Sequence, residues 1–252
     1  MCLAFDVMAR IEHVGHATVF IDLDGVRLLT DPLLRNRVAH MRRSTPVSAR
    51  TRRGVDAVLV SHAHYDHLDL PSLEKLGKKV PIVVPRGLGG MLRKRRFESV
   101  IEVEVGETLA IGKLQIRAVR AKHDRSRSPI GVSADPVGYI VSGTKSIYFA
   151  TSSTRCASSG RWTSASSPSG AGGPTLGSGG HLDPTGAAES VARIKPALVI
   201  PIHWGTYFPI HLGLTGRPGF IDVPPIEFLG AMTEAAAEVE VKVLRPGESV
   251  EL

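Results

Sequence analysis

Three histidines and one aspartate fall within six residues in the stretch Ser61-His-Ala-His-Tyr-Asp-His-Leu-Asp69. That density is too high for core packing, where an imidazole without a partner is costly. Imidazole and carboxylate together are the ligand set of a divalent transition metal such as zinc. The histidines directly follow Val55-Asp-Ala-Val-Leu-Val-Ser61, a continuous apolar run of the kind that forms a buried strand. At the sharp turn after such a strand, His62 and His64 can face one ion while Asp66 and His67 face a second.

The elements that must position this loop can be read from the hydrophobic pattern. Residues 10–14, 18–22 and 26–30 are short β-prone runs, and Asp24-Gly25 between the last two is a hairpin turn signal. Further strands are expected over residues 80–84, 114–119, 137–141, 146–150, 197–202 and 239–243. Helices are expected over residues 69–76, 88–95, 183–194 and 227–237; the third carries an Asp183 N-cap with Pro184 in its first turn. A β-rich then α/β alternation that recurs in each half suits sheets packed on each other with helices outside.

The 252 residues fit one large α/β domain or at most two small ones, and no apolar run approaches the roughly 20 residues of a membrane span. The N-terminus lacks the basic and apolar regions of a signal peptide, and Cys2 and Cys156 are too few and too far apart for a disulfide framework, so the reducing cytoplasm is the expected compartment. The net charge of +7 invites a nucleic-acid partner. Its clusters, Arg42-Arg43, Arg50 to Arg53 and Arg93 to Arg96, form no helical stripe and carry no interleaved aromatics, so solvated loops are expected instead.

The cluster after residue 61 resembles the HxHxDH signature of the metallo-β-lactamase superfamily, and the resemblance extends over nearly the whole chain. Gly15-His-Ala-Thr18, Leu29-Thr-Asp-Pro32, Gly180-His-Leu-Asp-Pro184 and Pro201-Ile-His-Trp-Gly-Thr206 are similar to landmarks of the branch that holds ascorbate-6-phosphate lactonase-like and N-acyl-phosphatidylethanolamine phospholipase D-like proteins. The resemblance implies a single domain over residues 1–252 with an α+β fold, a four-layer αβ/βα sandwich whose metal site lies at one edge between two sheets. It implies one ion held by His62, His64 and His123 and a second held by Asp66, His67 and His203, both divalent: zinc, or else manganese or iron. It places His181 near the substrate and casts His16 and Asp31 as groups that orient ligands. Two such ions lower the pKa of a shared water, supply hydroxide at neutral pH and polarise the carbonyl or phosphoryl oxygen under attack, with Asp66 doubling as proton acceptor. The implied activity is hydrolysis of a lactone, a phosphodiester or a similar small ester-like molecule. The alternatives are a catalytically crippled relic that binds one ion, and an RNA- or DNA-processing nuclease, for which no added clamping domain is visible.

One segment departs from the pattern. In the family a strand like Ser146-Ile-Tyr-Phe-Ala150 is followed by Gly-Asp-Thr, whose aspartate bridges the two metals. Here Thr-Ser-Ser-Thr-Arg follows, and no acid occurs between Asp135 and Asp183. Back-translated with GC-rich codons and read one base earlier, residues 151–172 become Asp-Leu-Val-Asp-Glu-Val-Arg-Val-Val-Gly-Pro-Val-Asp-Val-Gly-Val-Val-Ala-Val-Trp-Gly-Trp. That reading restores an acid in the place of Thr151 and an apolar strand. Residues 151–172 are therefore expected to be a frameshifted stretch. As written they should be disordered, because a Ser/Gly-rich segment cannot bury enough apolar surface to offset ordering, and the second ion should be held weakly.

Overall fold

A computed structural model describes residues 9–121, 123, 125, 132–150, 164–168, 183–213 and 219–252. The chain opens with three antiparallel strands, β1 (Arg10–Gly15), β2 (Thr18–Leu23) and β3 (Val26–Thr30), followed by the short β4 (Arg37–Val38) and β5 (Met41–Arg43). An alternation follows of β6 (Ala57–Leu59), α1 (Leu70–Leu76), β7 (Ile82–Pro85), α2 (Gly89–Lys94) and β8 (Val100–Val103). Next come β9 (Thr108–Ile111), β10 (Leu114–Arg120), β11 (Val137–Ser142), β12 (Ser146–Phe149) and β13 (Ser164–Pro168). The last part holds α3 (Pro184–Ile194), β14 (Leu198–Ile202), β15 (Tyr207–Pro209), α4 (Val223–Ala235), β16 (Glu240–Val241) and β17 (Ser249–Glu251).

These strands make two seven-stranded sheets, ordered β17-β1-β2-β3-β6-β7-β8 and β16-β14-β13-β12-β11-β10-β9, and a small sheet β15-β5-β4. The two large sheets share one core: Ile21, Leu28 and Leu59 of the first pack with Ile116, Tyr139, Phe149 and Ile200 of the second. The alternation of buried and exposed residues along β10 turns Leu114, Ile116 and Ala118 inward. On the outer face of the first sheet, Leu73 of α1 and Leu92 of α2 cover Val58, Ile82 and Val84. On the outer face of the second, Ala187 and Val191 of α3 and Phe228 and Met232 of α4 cover Val199. Helix, sheet, sheet and helix give the expected α+β sandwich of four layers. Among the described residues, no helix is long and apolar enough to cross a membrane.

Several elements differ from their expected bounds. The last helix begins at Val223 rather than 227, because Pro224 and Pro225 fit a first turn whose N–H groups need no intrahelical partner. β8, β9 and β17 had no expected counterpart, nor did the small sheet, whose strands are too short to show a period. The main correction concerns residues 164–168. Expected to be disordered, they form β13, which pairs in parallel with β12 (Tyr148 opposite Ala165) and with β14 (Ser166 opposite Ile200). Cys156 and the remainder of the 151–172 segment lie outside the described residues.

A strand paired in parallel on both sides is normally a continuous apolar run, and proline is normally kept to edges and bulges because it cannot donate to the ladder. Ser-Ala-Ser-Ser-Pro satisfies neither rule. The reading one base earlier carries Val-Gly-Val-Val-Ala in the same five places. Replacing residues 151–172 by that reading should stabilise the fold. Three valines in place of three serines, in a strand paired on both sides, should contribute about 3 kcal/mol or more, which for a domain of this size raises Tm by about 6–12 °C. Thermal unfolding of the two chains side by side checks it; an equal or lower Tm in the replaced chain contradicts it.

Candidate metal centre

The site lies where β6, β10 and β14 end and where β1 turns into β2. After β6 the chain runs through residues 60–69 to α1, and both ends of this loop are fixed. At its start, Val60 O accepts from Tyr139 Oη at 2.7 Å and Ser61 O accepts from Val137 N at 2.9 Å, which ties the loop to the second sheet. At its end, Asp69 caps α1 by accepting from Ser72 N and Oγ, and Arg35 grips the same carboxylate with Nε and Nη2 at 3.0 and 2.6 Å.

Between these anchors Asp31, fully buried, orients two histidines. Its Oδ1 accepts from Ser61 N at 2.7 Å, and its Oδ2 accepts from Ser61 Oγ at 2.5 Å and from His67 Nδ1 at 2.8 Å. Since the Ser61 hydroxyl proton is given to Asp31, its oxygen accepts from His62 Nδ1, 2.8 Å away. Both rings therefore carry their proton on Nδ1 and present the Nε2 lone pair to the site. His62 Nε2 is buried and has no hydrogen-bond partner, a cost that a bound cation would remove. Burial drives the His62 pKa well below the ordinary value, and the neighbouring His67, His123 and His64 add to the shift. This ring is neutral and ready to ligate.

Among the described residues three groups of donors have atoms within 4.8 Å of one another; one, Asp31 with His62 and His67, is the orienting contact just described, and the other two face the site. The first is His62, His64 and His123, whose ring centroids lie 4.4–4.7 Å apart. The second is Asp66, His67 and His203, joined by His16. His203 Nε2 is 3.3 Å from His67 Nε2, and Asp66 Oδ2 is 3.5 and 3.9 Å from the Nε2 atoms of His67 and His203. The groups adjoin through His62 and His67, whose centroids are 4.0 Å apart. Burial would lower the His67 pKa, but the charges of Asp66 and Asp31 outweigh it and raise the value. Burial would raise the Asp66 pKa, and the neighbouring His67 with the hydrogen bond from His16 instead holds it well below the carboxylate range.

The structure thus brings together all six residues expected to ligate, from three separate parts of the chain. The donor set is nitrogen-rich with one carboxylate and fits zinc or another borderline transition ion better than magnesium or calcium. His181 and Thr151 lie outside the described residues, as do both neighbours of His123. Sequence reasoning gave His16 only an orienting role and did not single out Ser61. The signal for Ser61 was its place between a buried strand and the first ligand.

Residues 26–204 match the beta-lactamase superfamily domain. The chain belongs to that superfamily. It is 32% identical over 255 residues to a UPF0173 metal-dependent hydrolase of Methanopyrus kandleri, covering 96% of this chain and 99% of the relative. It is also 29% identical to a UPF0173 metal-dependent hydrolase of Aeropyrum pernix, over 97% of this chain and 98% of that one. Among solved structures, a metallo hydrolase of Ignicoccus hospitalis superposes with a TM-score of 0.71 at 20% identity, covering 97% and 98% of the two chains. At that identity the likeness speaks for the superfamily fold alone.

His62→Ala and His64→Ala should each empty the first group, because either removes one of three protein ligands. Elemental analysis of the purified variants checks this. Unchanged metal content in both would overturn the assignment.

Proposed function

We propose that this chain is a metal-dependent hydrolase that holds two divalent ions, the first at His62, His64 and His123 and the second at Asp66, His67 and His203. The observation that carries the reading is the pair of adjoining donor groups, with the partnerless, buried His62 Nε2 aimed into the first. The names of the full-length relatives as metal-dependent hydrolases support it. When bound, such ions lower the pKa of a water and polarise the oxygen of the bond under attack. The chain's own residues hold the donors in place and manage protons. Asp31 keeps His67 in one tautomer and, through Ser61, does the same for His62. In this reading Asp66, partly exposed and a carboxylate at neutral pH, also accepts the proton that such a water releases.

The substrate we propose is a small lactone, phosphodiester or related ester. No separate nucleophile is needed, in keeping with the lack of a GxSxG motif in the sequence. The absence of any acid between Asp135 and Asp183 favours a second reading, a relic that binds one ion without efficient turnover. A hydrolysis screen over lactones and phosphodiesters with zinc, manganese and iron, paired with a count of ions per chain, separates the two. The enzyme reading expects close to two ions per chain, turnover of at least one ester class, and its loss by about a hundredfold or more in His62→Ala. One ion per chain and no turnover of any substrate would leave the relic.

A further inference from the structure

We infer that His16 is the fourth protein ligand of the second ion, taking up part of the work that the missing acid would have done. The inference rests on the two-ion reading above. His16 Nε2 lies 2.8 Å from Asp66 Oδ2, the same oxygen that faces His67 Nε2 at 3.5 Å and His203 Nε2 at 3.9 Å. The His67 and His203 nitrogens are themselves 3.3 Å apart. Four donors set tetrahedrally around an ion at bond lengths near 2.05 Å are separated by about 3.3 Å. The four measured separations bracket that value. Three imidazole nitrogens and one carboxylate oxygen, all within 4.8 Å, thus form a four-donor set in which each member comes from this chain.

The backbone is arranged to bring His16 there. The pairing of β1 with β2 shifts register between His13 and Gly15, a bulge that re-aims the following residue. Gly15 has φ +130, and a Cβ there would stand 2.6 Å from Arg43 Nη2 and 2.9 Å from Thr206 Cγ2, so only glycine fits. His16 then adopts φ 56 and His203 φ 71, both in the left-handed region that costs a side-chain-bearing residue energy. The two strained residues are hydrogen-bonded to each other: His203 N donates to His16 O at 2.8 Å, while His16 N donates to Thr206 Oγ1 at 2.5 Å. Their rings are consequently side by side, with centroids 3.8 Å apart. A role confined to steadying Asp66 would account for one hydrogen bond. It would not account for a strained backbone that aligns this ring with His203 and turns its Nε2 toward the other donors. Ligation requires only that the ring proton sit on Nδ1 instead of between Nε2 and Asp66.

The test is a Co(II) titration of the metal-free chain, followed by its visible absorption, for the wild type, His16→Gly and His16→Gln. Glycine accepts the positive φ and leaves a hole for free imidazole. Glutamine keeps an N–H toward Asp66 but offers no imidazole. The wild type should show two phases. In both variants the phase at His62, His64 and His123 should persist, while the second weakens by about a hundredfold or more, beyond the usual effect of an orienting group. Added imidazole should restore the second phase and its absorption in His16→Gly. Wild-type affinity and absorption in either variant, or failure of imidazole to restore the phase, would overturn the assignment alone. Loss of both phases in both variants would make His16 a support of the fold and overturn it too. A wild type that takes up a single ion would remove the two-ion reading with it.

Discussion

A carboxylate with no exposure to water, Asp31, sets the terms for everything around it. A buried charge of this kind is tolerated only when its oxygens are well supplied with donors. Ser61 N, Ser61 Oγ and His67 Nδ1 supply them, at 2.7, 2.5 and 2.8 Å. Each donor that serves Asp31 also constrains the site. The Ser61 amide and hydroxyl fix where the loop leaves β6, and the hydroxyl passes the constraint to His62 Nδ1. The bond to His67 fixes a second ring. Asp31 itself stands just beyond β3, its N–H donating to Leu59 O of β6 at 2.9 Å. The register of β3 and β6 in the first sheet is therefore what aims two imidazole lone pairs at one space.

The second sheet contributes through strand ends and through a single contact between distant turns. His203 follows β14 and His16 follows β1, and the hydrogen bond between their main chains joins the two sheets at the site. Around them, His13 is wholly buried; burial pushes its pKa down to about 4, against hydrogen bonds to Leu244 O and His16 O that would raise it. Arg43 spreads its guanidinium over the carbonyls of Val14, Leu33 and Thr45 and over Tyr207. These groups are spent on holding the β1–β2 turn and β15 against each other. The polar interior near the site is thus divided between groups satisfied within the fold and the Nε2 of His62, which is buried with no hydrogen-bond partner.

What could be read in advance follows the range of each physical signal. The cluster at residues 62–67 is local and dense, so its residue types alone indicate metal chemistry. The strands with clear alternation or long apolar runs, such as β10 and β14, lie where the pattern puts them. His123 and His203 needed the resemblance, since a lone histidine after a strand has no local signature. The nearness of His16 to the other donors was not legible for the same reason: it depends on a bulge, a left-handed turn and a contact spanning most of the chain. β13 was misread because its Ser-rich composition speaks against a strand, whereas its place is set by the unfilled gap between β12 and β14.

The central claim is that the described donors form two adjoining cation sites. It is tested most directly by anomalous diffraction at the zinc absorption edge from crystals of the unmodified chain grown with zinc. The account predicts two peaks, one among His62, His64 and His123 and one among His16, Asp66, His67 and His203. A single peak, or peaks that avoid these residues, would contradict it.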